Sequence, residues 1–463
     1  MAWKLHTVNQ GKACSTLFAL LYNGPTKLIA AIPKKNYTPK SLENRIIETF
    51  SSPQTTAAEL ASQRKRGTEY LLEAIKIAED KNYFHKTNLQ ADSVLYISSE
   101  NEAFHADLVQ ESKSYSAFCK LLKPKDSIVQ SNNQSNHVAL KNKTVSYEEV
   151  VYESPLPSWR MTSTKASIAS APDEKFVFKG TSFYQFLVCG EDGFQREIEA
   201  CYREISMVNH LLLRHPNIIP PAEYLVSVNP VEGGHEEKLI CGSLYTFYGK
   251  GSLADILDKT VDEGIRLPLN LKAKWCYQLC SAMAHVHFKA KCWHQDLKAP
   301  NVILDDDDNV LIVDWEQCGA NPFIVAPEAD GFSEVHELDV EVNGRRQLEY
   351  TRYEGPERYN EPYSDSGWNV FPEWNTKYPR ASELAEVYSL GKTMWVLLEQ
   401  VGLENQPGVT DYSTQTVHWS SASEDIPESW KHMIQLSIAD DPNDRPLMAD
   451  LLKFWEKQWQ SFN

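Results

Sequence analysis

The stretch from His294 to Glu316 constrains this chain more than any other. A polar loop, His294-Gln295-Asp296-Leu297-Lys298-Ala299-Pro300-Asn301, runs directly into two short apolar segments, Val302 to Leu304 and Val310 to Val313. An acidic run, Asp305 to Asp308, separates those segments and predicts a hairpin turn between two strands. Asp314-Trp315-Glu316 follows the second strand. A carboxylate, an amide and a second carboxylate are thereby set at the ends of short strands. Taken singly, Asp and Asn are ordinary turn residues and the acidic run is a solvated hairpin; the joint spacing points to oxygen chemistry.

At 463 residues the chain exceeds what one hydrophobic core usually organises, so two or three structural units are expected. A hydrophobic fraction of 42% supplies enough apolar area for sizeable cores. The 46 basic and 63 acidic side chains leave a net charge of −17, which argues against a nucleic-acid or anionic-membrane partner. The nine cysteines form no C-x-x-C pair, so neither a disulfide framework nor a zinc site is indicated. Near the N-terminus the only apolar run, Leu17 to Tyr22, is too short for a signal-peptide core, and no stretch approaches membrane-spanning length. These features predict an intracellular, cytoplasmic protein, with nuclear residence left open.

Residues 1–122 mix strand-like segments, Leu28 to Ile32 and Val94 to Ile97, with a helix around Thr68 to Ala78. Leu71, Leu72, Ile75 and Ala78 give that helix one apolar face. This is a small α/β accessory region of unknown role, and its Arg64-Lys65-Arg66 run reads as a solvated helix face before an import or docking patch. Residues 123–159 read as a polar linker and lead-in, marked by Ser131-Asn132-Asn133-Gln134-Ser135-Asn136.

From about residue 160 to the end the chain resembles the eukaryotic protein kinase superfamily. His294 to Asn301 with Asp314-Trp315-Glu316 is similar to the catalytic loop H-R-D-L-x-x-x-N and the D-F-G element. The resemblance implies an α+β, bilobal fold, with a small β-rich lobe over about 160–248 and a larger helical lobe over about 249–463. It implies ATP and Mg²⁺ as cofactors and a protein substrate. Asp296 would be the catalytic base and Lys298 would neutralise the transferred phosphoryl group, while Asn301 and Asp314 would hold the metal. Phe176-Val177-Phe178-Lys179 looks like the strand that presents a lysine to the α- and β-phosphates. A long helix, Gln195 to Leu213, would supply the partner of Lys179, either Glu204 or Glu197. The segment Ser243 to Leu253 resembles the strand and hinge beside the adenine. The helix from Leu271 to His287 carries a stripe of Trp275, Leu279, Met283 and Val286, which is core packing.

Glu386 to Gly391 resembles D-x-W-S-x-G and is expected to begin an amphipathic helix. Arg445 resembles the arginine that pairs with an A-P-E glutamate, for which Glu357 and Glu373 compete, with spacing favouring Glu373. Either choice places an insertion in the activation segment. The general style is similar to divergent kinase-like proteins of filamentous fungi. The chain departs from the family pattern in four places. No G-x-G-x-x-G precedes Lys179, and Met161 to Ser170 offers only Ser163, Thr164 and Ser167; Gln295 replaces arginine; Trp315 and Glu316 replace the Phe and Gly of D-F-G. A serine/threonine protein kinase is the leading reading. A pseudokinase, suggested by the missing glycines, and a small-molecule phosphotransferase, suggested by D-W-E, are the alternatives.

Overall fold

The computed structural model describes residues 2–12, 15–35, 38, 40–51, 57–100, 103–128, 140–156, 163–212, 214–230, 238–316, 326–342, 344–358, 368–402 and 417–462. The chain divides into two compact units, Met1–Tyr202 with Ala222–Phe247, and Arg203–Pro221 with Tyr248–Asn463.

The first unit opens with an antiparallel meander, β1 (Lys4–Gln10), β2 (Thr16–Asn23) and β3 (Thr26–Pro33). Helices α1 (Leu42–Ser51) and α2 (Ala57–Asp80) cross over to β4 (Ser93–Glu100), which runs parallel to β3 and antiparallel to β5 (Ala103–Gln110). A crossover through helices is what a parallel strand pair requires. Leu17, Ala19 and Leu21 of β2 join Leu28, Ala30 and Ile32 of β3 in one core with Ile46, Leu71 and Ile75 of the helices. The helix expected at Thr68 to Ala78 is thus the second half of α2, and Arg64, Lys65 and Arg66 are exposed on it.

Helix α3 (Ser112–Leu121) leads into a seven-stranded sheet of β6 (Lys123–Pro124), β7 (Lys143–Ser146), β8 (Val150–Pro155), β9 (Ser163–Ile168), β10 (Ala171–Gly180), β11 (Tyr224–Val228) and β12 (Leu239–Thr246). The order is β7-β11-β12-β10-β9-β8, with β6 paired to β12. The residues expected as linker and lead-in are therefore partly sheet. Val145, Val150 and Tyr152 are buried, but charged neighbours at Lys143, Glu149 and Glu153 mask the alternation. The Ser131–Asn136 tract lies outside the described residues.

A second correction concerns the expected phosphate loop. Ser163, Thr164 and Ser167 lie on β9, with Thr164 and Ser167 buried. The connection between β8 and β9 is residues 157–162, outside the described residues. On β10, Lys179 stands opposite Ser163 of β9 and Ser243 of β12, and Gly180 stands opposite Gly242. A Cβ on Gly180 would lie 2.5 Å from the Gly242 Cα and 2.6 Å from the Cys241 oxygen, so these strands close only where both side chains are missing. Helix α4 (Phe183–Ser206) begins earlier than the sequence predicts, bends at Gly190 (φ 70°, ψ 175°) and ends in a wide turn over Met207–Leu211.

The second unit is mainly helical: α5 (Leu253–Asp262), α6 (Leu269–His285), the hairpin β13 (Val302–Leu304) and β14 (Val310–Ile312), the ribbon β15 (Ser333–Val342) and β16 (Arg345–Arg352), then α7 (Phe371–Lys377), α8 (Pro379–Glu399), α9 (Glu428–Ser437) and α10 (Met448–Gln460). Trp275, Leu279, Met283 and Val286 are all buried, as the stripe predicts. The acidic run closes its own turn, because the Asp305 carboxylate accepts the backbone N–H groups of Asp307 and Asn309. Glu386 does not begin a helix. It sits midway along α8, which is buried almost continuously from Ala381 to Leu398. One sheet-rich unit and one helix-rich unit agree with the expected α+β bilobal kinase fold.

Candidate active site

The loop 294–301 has almost no regular structure, so particular side chains hold its shape. Nδ1 of His294 accepts the Asp296 backbone N–H at 3.2 Å, which leaves Nε2 to donate to the Val313 oxygen at 2.8 Å. The His294 ring packs on Trp315 with centroids 4.5 Å apart. Gln295 takes a positive φ of 70°, an uncommon conformation for a residue with a side chain. Its backbone N–H donates to Oε1 of Glu386 at 2.6 Å, and Oε2 of Glu386 meets Nε2 of His287 at 2.6 Å. The Gln295 side-chain oxygen accepts from Nδ2 of Asn369 at 3.3 Å. Where the resemblance implies an arginine gripping a phosphate, this chain has an amide pair.

Within this frame Asp296, Lys298 and Asn301 converge. Oδ2 of Asp296 lies 2.9 Å from Nζ of Lys298 and accepts from Nδ2 of Asn301 at 3.0 Å. The same amide donates to the Asp296 carbonyl at 2.9 Å, fixing both ends of the residue. Oδ1 of Asp296 is enclosed and makes no hydrogen bond. Burial pushes the Asp296 carboxyl above its ordinary value and the nearby Asp314 adds to this, while Lys298 opposes it.

Asp314 also adopts a positive φ, 71°. The next residue, Trp315, is fully buried and donates from Nε1 to the Ile312 oxygen at 3.0 Å. Carboxylate oxygens of Asp314, Glu316 and Glu204 lie within 4.8 Å of one another, and the Glu316 carbonyl accepts from Nε of Arg203 at 3.2 Å. Hard oxygen donors at this spacing suit a divalent cation such as Mg²⁺, which takes few protein ligands and completes its shell from phosphate and water. In the sequence Glu316 counts as a replaced glycine and as the end of D-W-E, not as a cation ligand. Its carboxylate, two residues after Asp314, is the signal that reading missed.

The structure therefore joins Asp296, Lys298 and Asn301 by direct contact and brings Glu204 to Asp314. Glu204 is 4% exposed and belongs to the second unit. Lys179 stands half-buried on β10 in the first unit, and Glu197 is half-buried on the first-unit part of α4.

Arg445 overturns one expectation. It is fully buried and grips neither Glu357 nor Glu373 but Glu328, with Nη1 to Oε1 at 2.5 Å and Nη2 to Oε2 at 3.0 Å. Glu373 is on the surface, paired with Lys377 at 2.9 Å. The glutamate belongs to Ala326-Pro327-Glu328, a literal A-P-E passed over because it lies so far ahead of Glu386. The insertion consequently follows this element, as the β15–β16 ribbon, and is not part of the activation segment.

Residues 190–321 match the protein kinase domain family. A probable LRR receptor-like serine/threonine-protein kinase of Arabidopsis thaliana is 24% identical over 219 residues, covering 44% of this chain and 32% of that protein. CBL-interacting serine/threonine-protein kinase 24 of the same plant is 30% identical over 120 residues, covering 26% of this chain and 23% of its own length. CBL-interacting serine/threonine-protein kinase 10 is 28% identical over 120 residues and 21% covered. The chain thus spans about a third or less of the length of these relatives. No helix among the described residues is long and apolar enough to cross a membrane. The match over residues 190–321 and these relatives support the eukaryotic protein kinase superfamily for this part of the chain.

Proposed function

We propose that the chain is an ATP- and Mg²⁺-dependent serine/threonine protein kinase, with Asp296 as base. One observation carries this reading: Lys298 and Asn301 meet on one oxygen of Asp296 and so orient a partly exposed carboxylate. A carboxylate so held can accept the proton of a substrate hydroxyl, and its raised pKa strengthens it as a base. Lys298 would meet charge on the transferred group. Asp314 and Asn301 would hold Mg²⁺, with Glu204 and Glu316 close to Asp314. The bound ion would neutralise phosphate charge. Lys179 would reach the α- and β-phosphates. The serine/threonine kinases named among the relatives support the protein-substrate reading.

A second reading, transfer to a small alcohol, is favoured by the Glu316 carboxylate beside Asp314. The deciding experiment is autophosphorylation and transfer to generic protein substrates, beside a panel of small alcohols, by the purified chain and its Asp296→Asn form. Asp296→Asn is expected to lower turnover by about a hundred- to ten-thousand-fold with nucleotide binding nearly intact. Asp314→Ala is expected to remove metal-dependent binding and activity together. A parent chain that binds no ATP at millimolar concentration would overturn the enzyme reading and leave a pseudokinase.

A further inference from the structure

The first unit encloses a cavity of about 430 Å³ that lies between β2 and β3 on one side and α3, the turn before β8 and the start of α4 on the other. Close packing is the rule inside proteins, and a space of this size falls within the range of small-molecule sites, about 300–1,000 Å³. Part of its wall is aromatic, from Tyr115, Phe118 and Phe183. The Tyr115 hydroxyl is committed to the Asn229 carbonyl at 3.2 Å, so its ring serves as apolar surface.

The charged groups of the lining are two ammonium groups, Lys27 and Lys86, against one carboxylate, Glu148. Nζ of Lys27 donates to the carbonyls of Val150 (2.7 Å), Tyr147 (2.9 Å) and Pro25 (3.3 Å) and lies 4.3 Å from the centre of the Tyr147 ring. Its donors are used on main-chain dipoles, so Lys27 acts on a ligand through its field, with Glu148 as the nearby anion. Burial pushes the Lys27 ammonium down to about 7, against the opposing pull of Cys241 and Glu148. Lys86 stands at the exposed rim, 3.6 Å from Glu79, and Ala91 is exposed on the same rim.

We propose that this cavity binds a small organic acid, its apolar body against the aromatic wall and its carboxylate at the rim, where it meets Lys86 within the field of Lys27. A cationic ligand would meet two like charges, and a neutral one would gain nothing from either. The site is separate from the residues proposed for phosphoryl transfer, and its test does not depend on kinase activity.

The test is calorimetric titration of the full chain with indole-3-acetate, decanoate and the neutral indole-3-acetamide, repeated on Lys86→Met and Ala91→Trp. At least one of the acids is expected to bind one per chain with a submillimolar Kd, and the amide at least about tenfold more weakly. Lys86→Met should weaken acid binding about tenfold, the worth of one charge-assisted contact, and leave the amide unchanged. Ala91→Trp, at a position where folding is not at stake, should block the mouth and abolish binding of every probe. The proposal is overturned if neither acid binds at millimolar concentration, if indole-3-acetate and its amide bind equally, or if Ala91→Trp changes nothing.

Discussion

Arg445 and Glu328, 117 residues apart in sequence, form a two-pronged ion pair in the interior of the second unit. The arginine also donates to the carbonyls of Ala439 and Leu384, so its guanidinium ties three segments together. Removing one member leaves an uncompensated buried charge. Glu328→Gln is expected to cost about 3–5 kcal/mol in denaturant unfolding of this unit. Glu357→Gln and Glu373→Gln, both near the surface, should stay within about 0.5 kcal/mol of the parent. A reversed order would mean that Arg445 is held elsewhere.

Burial and Asp314 raise the Asp296 carboxyl, and Lys298 lowers it. In the proposed role of base Asp296 works only when ionised, so activity should fail on acidification at a pH above the ordinary aspartate value. In Lys298→Met the acidic limb of the kcat/KM profile should move to higher pH, because an opposing cation is lost. Limbs that coincide in the two proteins would separate the pH dependence from Asp296.

Gly180 and Gly242 meet backbone to backbone beside Lys179. Gly180→Ala has no flexible neighbour to displace, and overpacking of this kind costs about 1–3 kcal/mol. ATP affinity should fall together with thermal stability, since the same strand carries Lys179. A Gly180→Ala protein with parental Tm would show that β10 and β12 can part.

Nε2 of His6 lies 2.9 Å from the Thr164 hydroxyl, and the ring is enclosed beside Tyr152. Burial, with Lys27 adding to it, holds the imidazole down to about 4. The unfolded imidazole takes its proton near 6.5 and the folded one only near 4, so the contribution is whole above pH 6.5 and is lost as pH falls from 6.5 to 4. About 3 kcal/mol at most is at stake. His6→Gln should flatten that part of the stability curve, measured by urea unfolding between pH 4 and pH 7.

The clustering of the 294–301 loop was legible because it is local: Asp296, Lys298 and Asn301 are near in sequence and meet in space. The core stripe of α6 was legible for the same reason. Glu328 was not, because its partner lies 117 residues away and the β15–β16 ribbon stretches the interval to α8 that ordinarily identifies such a glutamate. Glu386 reads in the sequence as the start of an amphipathic helix, yet it is buried midway along α8 with its two oxygens spent on Gln295 and His287. Strands β7 and β8 are short and carry charges on one face, so their two-residue alternation was lost among polar neighbours. Met161 to Ser170 was set against the phosphate loop with no glycine to mark one, and Ser163–Ile168 is strand β9.

Trp315 has a consequence for control. With its nitrogen bonded to the Ile312 oxygen and its ring against His294, expelling the indole into water would forfeit about 4 kcal/mol of burial. Turning the aspartate segment inside out is thus a costly way to silence this protein. On the proposed kinase reading, inhibitors that depend on a vacated slot behind that segment should find the slot full, and compounds competing with ATP are the ones to try.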